Sequence, residues 1–526
     1  AKVTGKDRIF YIAPYKSILD QNANDIRTAL QLSDGDNGNG ILLEHHSDVI
    51  PGDENSNELE RRSLLTERWN AAMILTTAVQ FLNTLFDGRS SCIRRMHSLA
   101  NSVLILDEVQ AIPVTCTYML NAALDFLAYI CHCSVVLCTA TQPETERWEI
   151  PVLSGNPSQM INDKEDFSVF HRTHAVDKTS EGPLSTDHLA DFSTEQLSAC
   201  ENLLLIVNTK SMAKSLYGTI KARIDSLPPK ERVPVYYLST SLCPQHRIDL
   251  IKKIKDSLTA RTPRASRMIC ISTQLVEAGV NLSFQCVIRS LAGLDSIAQA
   301  AGRCNRHGEA TCRDVFIVRC ADENLSSLPD IQRAQEASAH VLQDYSSNAS
   351  QFDGDLLSPK AIHRYYHYYY HLQDRKLFYP VSEKNSGLFC ATDLFDLLSV
   401  NSPAHKFCAE HGTSLPPHPM HQAFETAGRI FEVIENSGQN VIVPYGDGET
   451  LIQRFYSQPD MAELPKLLKQ AQRYSVHLFS DEKIRLDKQS AIDILPDIGV
   501  AILKKEFYHS ELGVVTQRGE MENLFI

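Results

Sequence analysis

Val103-Leu104-Ile105-Leu106-Asp107-Glu108-Val109-Gln110 is an apolar run that closes on two adjacent carboxylates. Its composition reads as a buried strand, which puts Asp107 and Glu108 at the strand's carboxyl end. In α/β sheets that edge is where ligands bind. Carboxylates placed there can hold a magnesium ion, with Asp107 as its ligand, and polarise an attacking water through Glu108. A carboxylate at a strand end is also an ordinary solvated terminus, so the reading depends on its company. Moving outward, Thr139-Ala140-Thr141 comes next, then Ser272-Thr273-Gln274-Leu275-Val276-Glu277-Ala278-Gly279, then Gln299-Ala300-Ala301-Gly302-Arg303-Cys304-Asn305-Arg306. Each brings a chemistry that the carboxylates lack.

Thr139 and Thr141 put two small hydroxyls at a strand end, where they can hydrogen-bond the carboxylate loop and relay a change at the nucleotide. Arg303 and Arg306 are expected one helical turn apart and facing the same way, a pair suited to gripping a γ-phosphate; Gln299 and Gly302 precede them. Thr273, Gln274, Glu277 and Gly279 make a turn whose small and amide side chains suit close approach to a nucleic acid backbone. Tyr15, Ser17, Thr76, Thr77 and Gln80 occupy comparable loops nearer the start of the chain. Hydroxyls and amides of this kind touch phosphate oxygens without reading bases, so the expected track is sequence-tolerant.

The chain has 526 residues, enough for roughly three to four domains of about 100 to 200 residues. A formal charge of −13 argues against nonspecific coating of nucleic acid and leaves room only for a local groove. No apolar stretch approaches the roughly 20 residues that span a bilayer, and Ala1 to Pro14 lacks a signal-peptide pattern, so a cytoplasmic protein without a membrane partner is expected. The 14 cysteines are scattered, without a Cys-x-x-Cys pair, and read as reduced core residues.

Strand patterns at Arg8 to Ala13, Met73 to Thr77, Val103 to Leu106 and Ser134 to Leu137 alternate with helical ones such as Ser17 to Leu30. They predict an α/β fold with a parallel sheet. A polar stretch from about Asn156 to Glu201 reads as a connection. The pattern restarts with strands at Leu203 to Val207, Val235 to Leu238, Met268 to Ser272, Cys286 to Ile288 and Val315 to Val318, giving a second parallel-sheet lobe. Ile331 to about Gln373 is helical, and its Tyr/His-rich part reads as a packed linker helix. A small C-terminal domain follows, with strands expected near Phe431 to Ile434, Val441 to Pro444 and Val476 to Phe479. The expected boundaries are 1–157 for the first lobe, 158–322 for the second, 323–400 for the linker helix region and 401–526 for the C-terminal domain.

The order and spelling of these motifs resemble a superfamily 2 helicase, and more narrowly the CRISPR-associated helicase-nuclease of type I interference systems. The narrower resemblance rests on Tyr11-Ile12-Ala13-Pro14-Tyr15-Lys16-Ser17, Leu43-Glu44-His45-His46-Ser47, Thr76-Thr77-Ala78-Val79-Gln80, Leu106-Asp107-Glu108-Val109-Gln110-Ala111, Val207-Asn208-Thr209-Lys210, Leu275-Val276-Glu277-Ala278-Gly279 and Val443-Pro444-Tyr445-Gly446. It implies two RecA-like lobes, ATP and Mg²⁺ as cofactors, and Gln299, Gly302, Gly279 and Asn281 on the nucleotide side. It also implies single-stranded DNA and an RNA-guided surveillance complex as partners. Gln110 stands where many relatives carry His, and Asn281 where they usually carry Asp; a Gln can bridge by hydrogen bonds but cannot titrate.

A phosphate-cradling loop needs Gly-x-x-x-x-Gly-Lys-Ser/Thr between strand and helix. The lone Gly-Lys pair, Gly5-Lys6, is followed by Asp7 and runs into a strand, and no His-Asp dipeptide occurs. The chain therefore looks like the C-terminal portion of a larger protein, lacking the N-terminal nuclease and phosphate-loop segment and inactive toward ATP alone. Two other readings stay open: a non-catalytic DNA-binding and docking half of a split protein, and an RNA helicase of the same superfamily.

Overall fold

The computed structural model describes residues 4–32, 40–46, 64–139, 141, 150, 158, 160, 171–259, 266–277, 279–373, 376–381, 388–415, 417, 420–433, 438–457, 460 and 463–516. Ile9-Phe10-Tyr11-Ile12 mixes aromatic and β-branched residues and forms the centre of strand Arg8–Ala13 (β1). Pro14 ends it, because proline donates nothing to a ladder. Helix Lys16–Leu30 (α1) follows and stops where Gln31 turns left-handed, at φ 53°. Strands Leu42–His45 (β2), Met73–Thr77 (β3), Ser102–Asp107 (β4) and Ser134–Cys138 (β5) complete a sheet in the order β2-β3-β1-β4-β5. Every pairing is parallel, with Ile9 opposite both Met73 and Val103, and Val103 opposite Ser134. All the carboxyl ends therefore share one edge.

This sheet belongs to a compact unit made of Ala1–Asn162 and Tyr366–Glu435. Phe10, Ile74 and Leu104 are completely buried, packed with Phe81 and Leu82 of helix Ala78–Phe86 (α2). Burying each such side chain stabilises the fold by about 1.5–3 kcal/mol. Phe431 and Val433 also enter this core, and Phe431 packs on Phe86 at a centroid distance of 5.3 Å. The strand expected near Phe431 to Ile434 is thus not formed over its described residues: helix Phe424–Ile430 ends there, and the apolar run fills the first sheet's core instead of a ladder. Ile434 lies outside the described residues.

The second unit consists of Asp163–Tyr365 and Asn436–Ile526. Its sheet runs Thr173–Asp177 (β6), Arg313–Val318 (β11), Cys286–Ser290 (β10), Asn202–Ile206 (β7), Met268–Ser272 (β9) and Val235–Leu238 (β8), again all parallel. The stretch read as a polar connection is only partly one. Within it, β6 pairs with β11 and helix Thr186–Ala199 packs its Leu189, Ala190 and Leu197 into the core, so polarity there marks an edge strand and an amphipathic helix. The helical region divides into Pro329–Ser347 and Pro359–His371, with Asp353 left-handed between them. Further on, Ser475–Phe479, Gly438–Ile442, Val500–Leu503 and Ile492–Leu495 form a small mixed sheet. All 14 cysteines are free thiols, and Cys312 alone is exposed. No described helix is long and apolar enough to cross a membrane.

Candidate nucleotide site

At the carboxyl end of β4, Asp107 is pinned on both oxygens. Its Oδ1 accepts from the backbone N–H of Glu108 at 3.0 Å, and its Oδ2 accepts from the Tyr11 hydroxyl, which in turn accepts from Asn22 Nδ2 at 2.7 Å. Tyr11 comes from β1, the neighbouring strand, and Asn22 from α1. Burial, and next the bond to Asp107, push the Tyr11 phenol well above its ordinary range, so it remains a donor. Sequence reasoning missed both residues; Tyr11, the one hydroxyl-bearing side chain of its strand, was the available signal.

Glu108 itself is left-handed, at φ 49° and ψ 47°, a conformation that costs an L residue roughly 1–2 kcal/mol. That turn swings the chain into the short helix Val109–Ala111 and lets Gln110 Nε2 donate back to Glu108 Oε2. Thr139 Oγ1 lies 2.6 Å from Gln110 Oε1 and also accepts from the Thr141 N–H at 3.0 Å. Thr141, 3% exposed, places its hydroxyl 3.1 Å from that of Tyr366. A continuous relay therefore runs from Glu108 through Gln110, Thr139 and Thr141 to Tyr366, which sits on helix Pro359–His371. The threonines reach the carboxylate through the Gln110 amide, and Tyr366 was read only as part of a packed helix.

Magnesium takes one or two carboxylates and completes its shell with phosphates and water. Asp107 and Glu108 fit that habit: they are adjacent, half-buried carboxylates, and among the described residues they belong to no closed cluster of three ligands.

Elsewhere on the same edge the expected track residues have diverse surroundings. Tyr15 is 43% exposed. Thr76 is completely buried and donates to the His45 carbonyl at 3.0 Å, tying β3 to β2. Thr77 is the N-cap of α2 and accepts from the Gln80 N–H at 3.2 Å. Gln80 Oε1 accepts from Arg95, whose guanidinium is buried over the Trp69 ring. Ser17 lies on α1, and its side chain falls outside the described atoms.

In the second unit, Thr273 is buried at the end of β9, Gln274 is half-buried, and Gly279 takes φ 72°, which only glycine adopts freely. Glu277 is buried in a charged network: its Oε1 meets Arg289 Nε at 2.8 Å, and its Oε2 accepts from Ser296 Oγ at 2.7 Å. Arg289, completely enclosed in β10, also donates to Asn208 Oδ1 at 2.8 Å, the Ser290 carbonyl at 2.9 Å and Ser296 Oγ at 2.9 Å. Asn208 is held in turn by Glu323 at 2.8 Å. An arginine inside a buried strand was the sign of this network, which sequence reasoning passed over.

The two arginines after Gly302 do not share a helical face. Helix Leu294–Ala301 ends before them, with Gly302 as its cap, and Asn305 turns left-handed at φ 47°. Arg303 points inward: its Nε donates to the Val276 carbonyl at 2.8 Å and its Nη2 to that of Glu277. Arg306 is exposed, as is Asn281, and Gln299 is half-buried on the last turn of the helix. Helix capping is the physical reason: Gly302 closes the helix, so a three-residue spacing no longer means a shared face.

Residues 199–309 match the family described as CRISPR-associated nuclease/helicase Cas3, C-terminal. A curated relative, the CRISPR-associated nuclease/helicase Cas3 of Haloferax volcanii, is 26% identical over an alignment covering 57% of this chain and 41% of that protein. Among solved structures, T. fusca Cas3 with ATP superposes at a TM-score of 0.58 and 14% identity, covering 95% of this chain and 63% of that one. T. fusca Cas3 described without a nucleotide gives 0.61 and 14%, covering 95% and 62%. The chain thus spans about two fifths of the curated relative. It spans a little over three fifths of these structures, whose low identity makes the likeness one of fold.

Proposed function

Taking the chain as a Cas3-type helicase portion, which the family match, the curated relative and the shared fold all support, we propose that it is the part of an ATP-dependent single-stranded DNA translocase of type I CRISPR interference that converts phosphate chemistry into movement. The relay from Glu108 to Tyr366 carries this reading. It joins a catalytic carboxylate to a helix outside the sheet through hydroxyls and an amide, a route by which the state of the nucleotide can reach distant structure.

In this reading Asp107 is the magnesium ligand, and the ion, when bound, screens phosphate charge. Tyr11 fixes the Asp107 carboxylate, and Glu108 orients and deprotonates the attacking water. Arg306 meets the charge developing on the γ-phosphate, while Arg303, committed to backbone carbonyls, positions the loop that carries it. Gln299, Gly302, Gly279 and Asn281 shape the nucleotide side. Tyr15, Ser17, Gln80 and Gln274 are the proposed contacts to DNA phosphates, over a backbone set by Thr76, Thr77 and Thr273. Recruitment by an RNA-guided surveillance complex completes the reading.

No Gly-x-x-x-x-Gly-Lys-Ser/Thr stretch occurs in the sequence, and in this reading the phosphate-cradling loop is supplied by a separate segment. The purified chain alone should hydrolyse ATP negligibly; joined to a segment carrying the loop, it should show turnover stimulated by single-stranded DNA of any sequence. In the joined protein Arg306→Ala should lower turnover by a factor on the order of 10³ with DNA affinity nearly unchanged. Loss of DNA binding with hydrolysis intact would instead favour the non-catalytic docking reading.

A further inference from the structure

On the carboxyl edge of the first sheet, away from Asp107, three side chains converge that the nucleotide reading does not use. Asp20 comes from α1, Glu44 from β2 and His46 from the residue just beyond β2. Their candidate ligand atoms all lie within 4.8 Å of one another. His46 Nε2 is 3.3 Å from Asp20 Oδ1 and 3.9 Å from Glu44 Oε2, and the imidazole side chain is 1% exposed.

Among the described residues, neither ring nitrogen of His46 makes a hydrogen bond. A buried imidazole without a partner costs free energy, commonly about 1–3 kcal/mol per unsatisfied group, and protein interiors rarely leave one so. Here the nitrogen lies within hydrogen-bond range of a carboxylate but is badly oriented for one. A cation held between the two groups would account for such an approach. Glu44 is also prearranged: Arg27 pairs with its Oε1, leaving Oε2 toward His46.

We propose that Asp20, Glu44 and His46 bind a zinc-class divalent cation. One imidazole and two carboxylates, with a fourth position left for water, are a donor set that zinc accepts, whereas magnesium avoids imidazole in favour of oxygen. The ion would fasten α1 to the end of β2. That junction is next to the bond from Thr76 to the His45 carbonyl, so the ion would brace the edge from which the loops leave.

The test uses the purified 526-residue chain, stripped with a chelator and dialysed against zinc, with bound metal measured directly. One equivalent is expected, lost in His46→Ala and bound at least about tenfold more weakly in Asp20→Asn. Asp20 has 55% of its side chain exposed, so this second variant keeps its fold, as circular dichroism will check. Cobalt substitution should give visible d–d bands without the near-ultraviolet charge transfer of thiolate ligands. Absence of bound zinc would overturn the proposal, as would binding unchanged in both variants or thiolate charge transfer that accounts for all the cobalt.

Discussion

At the end of β4, Asp107, Glu108 and Gln110 are half-buried and linked onward by neutral hydroxyls and an amide; around β10, Arg289 and Glu277 are sealed from solvent and joined as full charges. The first arrangement leaves its carboxylates half-exposed and costs little to desolvate. The second makes no group available. A buried ion pair contributes little net stability, because desolvation offsets the attraction, yet removing one partner strands the other at heavy cost. In the proposed reading, similar parallel sheets thus use their edges differently: one for chemistry, the other for holding the β7, β9 and β10 loops in one arrangement from which Arg306 projects.

The sharpest way to break this comparison is to remove one group from each edge. Asp107→Ala in a loop-supplied protein should abolish ATP turnover, a loss on the order of 10³ or more, while thermal unfolding stays near that of the parent. Collapse of the fold instead would make Asp107 a structural anchor. Arg289→Met should do the reverse and destabilise the second unit by about 3–5 kcal/mol in urea denaturation. Adding Glu277→Leu should recover much of that loss, since no charge is then stranded.

A smaller effect concerns His45. Burial, then the Arg95 charge, hold its imidazole down at about 3, and Trp69 Nε1 donates to its Nδ1 at 3.0 Å. Both folded and unfolded states are neutral above about pH 6.5; as the pH falls from there toward 3, only the unfolded state takes up the proton, and stability declines. Between pH 6.5 and 5 this group should remove about 2 kcal/mol, a loss absent from His45→Asn, which keeps an acceptor for Trp69. Equal acid sensitivity in both proteins would show that His45 is protonated in the fold. The smallest expected change is in Gln110→Ala, where one relay hydrogen bond is lost: turnover should fall by roughly tenfold and lose its response to DNA. An unaltered DNA response would cut the relay out of the mechanism.

Much of the fold was legible because buried parallel strands announce themselves as continuous apolar runs. Arg8–Ala13 and Met268–Ser272 were readable to the residue. Phe431 was not, because an apolar cluster suits a strand and a core plug equally until its neighbours are known. Asp107, Glu108 and the two threonines could be placed at strand ends by the same patterning. The contacts that organise them could not, since Tyr11 lies 96 positions from Asp107 and Tyr366 lies 225 from Thr141. Nor does a hydroxyl's position reveal its partner: Thr76 and Thr77 read as surface contacts, yet one bridges two strands and the other caps a helix. Arg303 was misplaced for a local reason, the helix end at Ala301.

The left-handed backbone of Glu108 sets a limit on improving this protein. Asparagine or glycine would occupy φ 49° more comfortably, so redesign guided by stability alone would favour replacing the residue assigned to water activation. A variant library sorted for heat resistance should accumulate such replacements, and one sorted for turnover should purge them. If Glu108 has the role proposed for it, this is a position where the preferences of the backbone and of the reaction oppose each other, and where a gain in heat tolerance would be an early sign of lost activity.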